Sequence, residues 1–253
     1  MTALPLSGCH VISLRPVGAH APLRRAAAAQ GARLLALSPW RLQARDDDAT
    51  RAALGEALAA SRVLFTSPVA ARAAVRLQPL ADTRRQVFAV GAGTAAALRR
   101  AGVASVSTPA RMDSEGLLAL PGLQSLAGTD VGLVTAPGGR GEIVPALRQR
   151  GARVLRADVY DRIAVAPSPR ALATLRALTG PAWLALSSGA ALEMLLAALP
   201  ADALAALRRA AVAAASARLA QLARDQGFNR IVTAGSALPR DLIAAIVAAH
   251  PLA

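Results

Sequence analysis

The sequence predicts an α/β fold of parallel sheets arranged in two similar halves. Three observations carry that prediction. The first is the stretch VGLVTAPGGRGEIVPALRQRGARVLRADVYDR, Val131 to Arg162. It reads as a short apolar strand, a glycine-rich loop at Pro137 to Gly141, a helix through Ile143, Val144 and Leu147 closed by Gly151, and a second apolar run ending at Tyr160. Strand, loop, helix, strand is the repeating unit of a parallel sheet. The second observation is an echo near the N-terminus: Gly31-Ala32-Arg33 returns 120 residues later as Gly151-Ala152-Arg153, and Trp40 returns as Tyr160. The third is composition. Hydrophobic residues make up 54%, much of it alanine, and aromatics only 2%, so the core is Leu, Val and Ala, which favours helices packed on parallel strands over an all-β fold.

Taken in order, residues 1–8 read as a frayed leader. His10 to Leu14 is the first strand, Arg15 to Gly18 a turn, residues 20–30 a helix capped by Gly31, and Arg33 to Leu37 the second strand. Ser38-Pro39 breaks the pattern. Asp46-Asp47-Asp48 precedes a helix through Leu58, and three carboxylates there serve as partners of the helix dipole. Arg62 to Phe65 is a strand entering Thr66-Ser67-Pro68 and a helix from Val69 to Leu77. Gln86 to Val90 enters Gly91 to Thr94 and a helix capped by Gly102. Val103 to Ser107 reads as a short strand, and Met112 to Gly116 opens a helix. After the Val131 to Tyr160 unit, Pro167 and Pro169 punctuate the chain. Ala182 to Gly189 repeats the pattern of Arg62 to Pro68. Ala210 to Ala214 is a strand leading to Ser216-Ala217-Arg218 and a helix capped by Gly227, and Ile231 to Thr233 and Pro239 to Ala249 are the last strand and helix.

The echo is displaced. Its first copy opens the chain, whereas its second closes the middle segment. The economical explanation is two domains with exchanged first units: residues 1–38 with 168–253, and an inserted domain at 41–160. Crossings at 39–40 and 161–167, marked by proline, suit a hinge, and a cleft between two lobes is a natural ligand site.

Charge and composition narrow the partners. All 29 basic residues are arginine, and against 15 acidic ones they give a net charge of +14. Most are scattered on solvated faces, yet so positive a surface favours an acidic ligand. One cysteine, Cys9, excludes an internal disulfide, and His10, His20 and His250 lack ligand spacing, so no metal is expected. No apolar run is long enough to span a membrane, and the N-terminus lacks a secretory pattern, so a cytoplasmic protein is expected.

Polar groups gather where strands end and helices begin, which is where open parallel sheets bind ligands. They are Arg15, Thr66, Ser67, Gly91 to Thr94, Gly138, Gly139, Arg140, Ser187, Ser188, Ser216 and Arg218. Helix N-termini at these loops suit carboxylates or phosphates, although each Ser or Thr alone is most simply an N-cap. Gly91-x-Gly93 lacks the third glycine of a dinucleotide fingerprint, no GxxxxGK[ST] exists, and Ser187 and Ser188 are not in GxSxG. No histidine stands beside a candidate nucleophile. The residues describe a two-lobed clamp for an anion with little acid–base equipment.

The order VISLRP, LFTSP-x-AARAA, VFAVGAGTAAAL, GGRGEIVPALRQRGARV with Val159-Tyr160, then LALSSGAALEML resembles the uroporphyrinogen-III synthase family, from about residue 10 to 248. The resemblance implies two similar three-layer α/β/α domains with parallel, flavodoxin-like sheets. It also implies an N-terminal segment packed into the C-terminal lobe, and a two-stranded ladder as linker. It implies cyclisation of hydroxymethylbilane to uroporphyrinogen III with loss of water and inversion of ring D through a spiro intermediate, without a cofactor. The substrate carries eight carboxylates in that family's chemistry, which fits a positive cleft. By the same resemblance Tyr160 assists departure of the hydroxyl as catalytic residue, unless it only packs the hinge. Arg15, Thr66, Ser67, Thr94, Gly138, Gly139, Arg140, Ser187 and Ser188 contact substrate. Many members carry a Gly-x-Thr-type turn where this chain has Ser216-Ala217-Arg218, and an arginine there suits a substrate carboxylate.

The expected associations are this polycarboxylate substrate, a transient contact with hydroxymethylbilane synthase, and a monomeric state. A non-catalytic two-lobed anion-binding protein is the alternative from another class. A nucleic-acid binder ranks last, because so few aromatics leave few stacking platforms and no basic run exists.

Overall fold

The computed structural model describes residues 4–80, 85–111, 113–138 and 141–250. The chain opens with β1 (His10–Ser13), α1 (Ala21–Ala28), β2 (Arg33–Ala36) and β3 (Trp40–Ala44). Next come α2 (Asp48–Ala59), β4 (Arg62–Phe65), α3 (Pro68–Leu77), β5 (Gln86–Ala89) and α4 (Ala92–Arg100). The middle ends with α5 (Ser114–Leu118), a 3-10 turn at Pro121–Leu123, β6 (Asp130–Thr135), α6 (Ile143–Gln149), β7 (Arg153–Asp158) and β8 (Tyr160–Ala164). The last part holds α7 (Pro169–Arg176), β9 (Ala182–Leu186), α8 (Gly189–Ala198), α9 (Ala201–Arg208), β10 (Ala211–Ala214), α10 (Ala217–Asp225), β11 (Ile231–Thr233) and α11 (Pro239–Ala249).

Local chemistry explains many boundaries. Asp47, Ser67, Ser168, Ser188 and Ser216 are N-caps whose side chains each accept the backbone N–H three residues on, satisfying a donor the helix itself leaves free. Gly31, Gly102, Gly151 and Gly227 have left-handed backbones just after α1, α4, α6 and α10, where a residue without Cβ ends a helix at least cost.

The chain packs as two units, Met1–Arg41 with Ile163–Ala253, and Leu42–Arg162. The first holds a parallel five-stranded sheet in the order β11-β10-β9-β1-β2. This is the flavodoxin-like order, with β1 between β2 and β9. The second holds the parallel sheet β5-β4-β6-β7, with a single parallel bridge from Phe88 to Ser107 beyond β5. Counting that bridge, β6 and β7 occupy in the second sheet the places of β1 and β2 in the first. β3 and β8 pair as a separate two-stranded sheet where the chain leaves and re-enters the first unit.

Side chains alternate across each sheet, as the two-residue period of a strand requires. In the second unit Val63, Phe65, Val87 and Ala89 pack toward one buried cluster with α2, α3 and α4. Leu64, Phe88, Val131 and Leu133 face another with Leu117, Leu123 and Leu147. In the first, Val11, Trp183 and Ala213 pack with Leu23, Leu242 and Ile246. Each fully buried Leu or Phe contributes about 1.5–3 kcal/mol relative to exposure. Gly132 is needed for the close approach of α2 to β6: a Cβ there would collide with the carbonyl oxygen of Ala57.

Four sequence expectations are corrected. Residues 4–8 are no frayed leader, because Leu6 is fully buried and its N–H donates to the Gln30 carbonyl at 2.8 Å. Val103 to Ser107 forms only the single bridge at Ser107. The second run of the opening stretch does not end at Tyr160; β7 stops at Asp158 and Tyr160 begins β8, a bend that hydropathy does not register. Finally, the segment read as punctuated by Pro167 and Pro169 holds the helix α7. Pro169 acts as a helix-initiating proline behind the Ser168 cap, not as a breaker.

Candidate active site

In the second unit the strand order reverses between β4 and β6, and ligands of open α/β sheets bind outside the carboxyl ends of strands at such a point. Thr66 and Thr135, at the ends of these two strands, join their hydroxyls at 2.7 Å, and the Thr66 N–H donates to the Val134 carbonyl at 3.2 Å. Ser67, next along, caps α3 by accepting the Ala70 N–H at 3.0 Å. Its hydroxyl also lies 3.2 Å from the Tyr160 hydroxyl. The Tyr160 ring is buried in the cluster formed with α2, α3 and α4. The phenol is thus an apolar body with its polar tip brought to a half-buried hydroxyl at the sheet edge.

A bidentate ion pair brackets Tyr160. The Arg45 N–H donates to the Val159 carbonyl at 3.0 Å, and its Nε and Nη2 donate to Asp161 at 2.8 and 2.7 Å. The Arg45 hydrogen bond and charge hold the Asp161 carboxyl below the usual range, against its own desolvation.

The other candidates of this unit differ in setting. The N-cap of α4 is Gly91, which supplies no side-chain cap, so the exposed first turn at Ala92 and Gly93 keeps its own N–H groups for a ligand or water. Thr94 is itself buried, with its N–H donating to the Gly91 carbonyl at 3.0 Å. Gly138 is exposed and left-handed, and Arg162 Nη1 reaches the adjacent Pro137 carbonyl at 3.4 Å. Gly139 and Arg140 lie outside the described residues.

In the first unit, Ser188 and Ser216 cap α8 and α10 at the carboxyl ends of β9 and β10. Arg218 is exposed, and its Nη1 lies 3.8 Å from where a Cβ on Gly189 would stand, so its guanidinium reaches the N-terminus of α8. Ser187 is half-buried beside Ser188. Arg15 follows β1. One of its terminal nitrogens donates to the Ala237 carbonyl at 3.2 Å, while its Nε is buried without a hydrogen-bond partner. Burial lowers the guanidinium's pKa. A desolvated cation with an unused donor suits an anionic ligand.

One histidine does meet hydroxyls, though not those of the candidate residues: buried His20 lies between the side chains of Ser13 and Ser38. Sequence reasoning missed His20, Thr135, Arg45, Asp161 and Arg162, because their partners are distant in sequence and no motif marks them. A cavity of about 580 Å³ lined by Trp183, Arg209, Arg230 and His250 opens at the opposite, amino edge of the first sheet. It contains none of the candidate residues. Among the described residues no cluster of His, Cys, Asp or Glu is placed to hold a metal ion. No helix there is long and apolar enough to cross a membrane.

Two flavodoxin-like α/β units, each with hydroxyls, helix N-termini and guanidinium groups at its sheet's carboxyl edge, are the class of protein that fold and site define. The family model for uroporphyrinogen-III synthase HemD matches residues 21–244. The chain belongs to the uroporphyrinogen-III synthase family, cyclising lyases of heme biosynthesis. Among solved structures, a mutant uroporphyrinogen III synthase from the extremely thermophilic bacterium Thermus thermophilus is 21% identical with a TM-score of 0.62, the match covering 93% of this chain and 96% of that one. The uroporphyrinogen-III synthetase of Helicobacter pylori is 12% identical with a TM-score of 0.61, covering 94% and 98%. Both share the fold. No curated protein sequence matches the chain significantly.

Proposed function

We propose that the chain cyclises hydroxymethylbilane to uroporphyrinogen III, with Tyr160 as the catalytic residue and the carboxyl-edge groups of the two sheets as substrate contacts. The observation that carries this reading is the Tyr160 hydroxyl, held 3.2 Å from Ser67 on a buried ring at the sheet edge. The phenol donates its hydrogen bond, and then its proton, to the terminal hydroxyl of the linear tetrapyrrole, which leaves as water. The pyrrole nitrogen's electron pair expels it to leave an azafulvenium, whose N–H proton returns to the phenoxide and gives the neutral azafulvene. Ring D then attacks through its substituted carbon to give a spiro intermediate, which fragments and recloses with ring D inverted. The azafulvene is reactive by itself, so the protein's contribution is chiefly to hold the chain in the geometry that selects the substituted carbon.

Substrate carboxylates meet Arg15, Arg140 and Arg218, the N-terminus of α4, and the hydroxyls of Thr66, Ser67, Ser187, Ser188 and Ser216. Gly138 and Gly139 let the loop backbone approach, and buried Thr94 shapes the first turn of α4. The working domains are 1–38 with 168–253, and 41–160. A monomer in the cytoplasm, receiving substrate from hydroxymethylbilane synthase, is the corresponding setting. Arg15 alone, with its unused buried Nε, would equally serve a non-catalytic anion-binding protein. Product analysis after supplying hydroxymethylbilane separates the two. Type III isomer above the enzyme-free control is expected, and type I product alone would exclude the synthase reading.

A further inference from the structure

We propose that His20 is a positioning residue that holds the Arg15 turn in its substrate-binding conformation through paired hydrogen bonds to Ser13 and Ser38. The inference rests on the reading of Arg15 as a substrate contact. His20 is buried, with Nδ1 2.9 Å from Ser13 Oγ and Nε2 2.8 Å from Ser38 Oγ. Ser13 is the last residue of β1, and its fully buried hydroxyl lies 3.5 Å from the Arg15 N–H, at the limit of a hydrogen bond. Ser38 follows β2, and His20 itself immediately precedes α1. One imidazole therefore joins the ends of two adjacent parallel strands to the start of the helix that connects them, with Arg15 on the turn it spans. A neutral ring fits these partners, donating to one hydroxyl and accepting from the other. The charged groups facing it are Arg24 from the first turn of α1 and Arg15 from the turn after β1. Both act with burial to oppose its protonation.

The test combines kinetics with imidazole ¹⁵N NMR of the full-length chain, the His20 signals being assigned by their loss in His20→Gln. One protonated and one bare nitrogen are expected, with no titration until the pH is below the ordinary histidine value of about 6.5. His20→Leu removes both hydrogen bonds and is expected to raise KM for hydroxymethylbilane about tenfold while kcat stays within about threefold, the pattern of binding lost equally from ground and transition states. His20→Gln, whose amide can also donate and accept, is expected to restore KM. A ring titrating at the ordinary value, an unchanged KM in folded His20→Leu, or no rescue by His20→Gln would each overturn the proposal. If His20→Leu does not fold, the NMR result and the His20→Gln KM decide. An unchanged KM in Arg15→Gln would remove Arg15 from the substrate site while leaving the imidazole measurements to stand on their own.

Discussion

The hydroxyls of Ser67 and Tyr160, 93 residues apart in the chain, lie 3.2 Å from each other at the carboxyl edge of the second sheet. One belongs to a helix cap and the other to the first residue of β8. The contact therefore couples the end of a core strand to the strand by which the chain leaves the unit.

Replacing Tyr160 by Phe keeps the buried ring and removes only the hydroxyl. Stability is expected to fall by about 0.5–1.5 kcal/mol, the net worth of one hydrogen bond. Turnover is expected to fall about 10²-fold, the lower end for a lost general acid. Single-turnover kinetics and urea unfolding of the same variant compare the two. A loss in turnover no larger than the loss in stability would assign Tyr160 to packing.

Ser67→Ala removes the α3 cap and the partner of the phenol together. Loss of the cap costs about 1 kcal/mol, which thermal unfolding will report. Turnover is expected to fall by a smaller factor than in Tyr160→Phe, because the phenol itself remains. A larger fall would make Ser67 the group nearest the reaction.

The Arg45–Asp161 pair gives a pH dependence of definite sign. The folded-state carboxyl of Asp161 titrates below its unfolded value because of Arg45. Its contribution is therefore complete above the unfolded carboxylate range, about pH 4, and is lost as pH falls through the lower folded value. Asp161→Asn is expected to destabilise the protein by up to about 1 kcal/mol at pH 7, as for a partly exposed ion pair. That difference from wild type should shrink below about pH 4. Urea titrations at about pH 7 and about pH 3, on either side of that range, measure it, and a difference that grows in acid would reverse the assignment.

Gly132→Ala tests the approach of α2 to β6. Backbone would have to move to admit the methyl group beside the Ala57 carbonyl, and overpacking of this kind costs about 1–3 kcal/mol. Chemical denaturation reads the change directly. Stability equal to wild type would mean that α2 can shift without loss.

Much of the fold is legible because its signals are local. The caps at Asp47 and Ser67, the helix-ending glycines and the apolar runs of β4, β6 and β9 each occupy a few consecutive residues, so their elements can be read directly. Legibility fails where a signal has two meanings. Pro169 could break a helix or begin one, and Val103 to Ser107 has strand composition but pairs at one residue only.

By itself the sequence determined the alternation of strands and helices and the repeated β-α-β unit, since periodicity and turn chemistry are properties of neighbouring residues. Tertiary structure alone decided which groups meet. Parallel strands adjacent in a sheet are joined by crossovers rather than by short turns, so β1 lies beside β9 although 168 residues separate the end of the first from the start of the second. The same geometry sets Thr66 on Thr135, Ser67 on Tyr160 and His20 between Ser13 and Ser38. Each contact is made by packing across the sheet edge, and no spacing along the chain announces it.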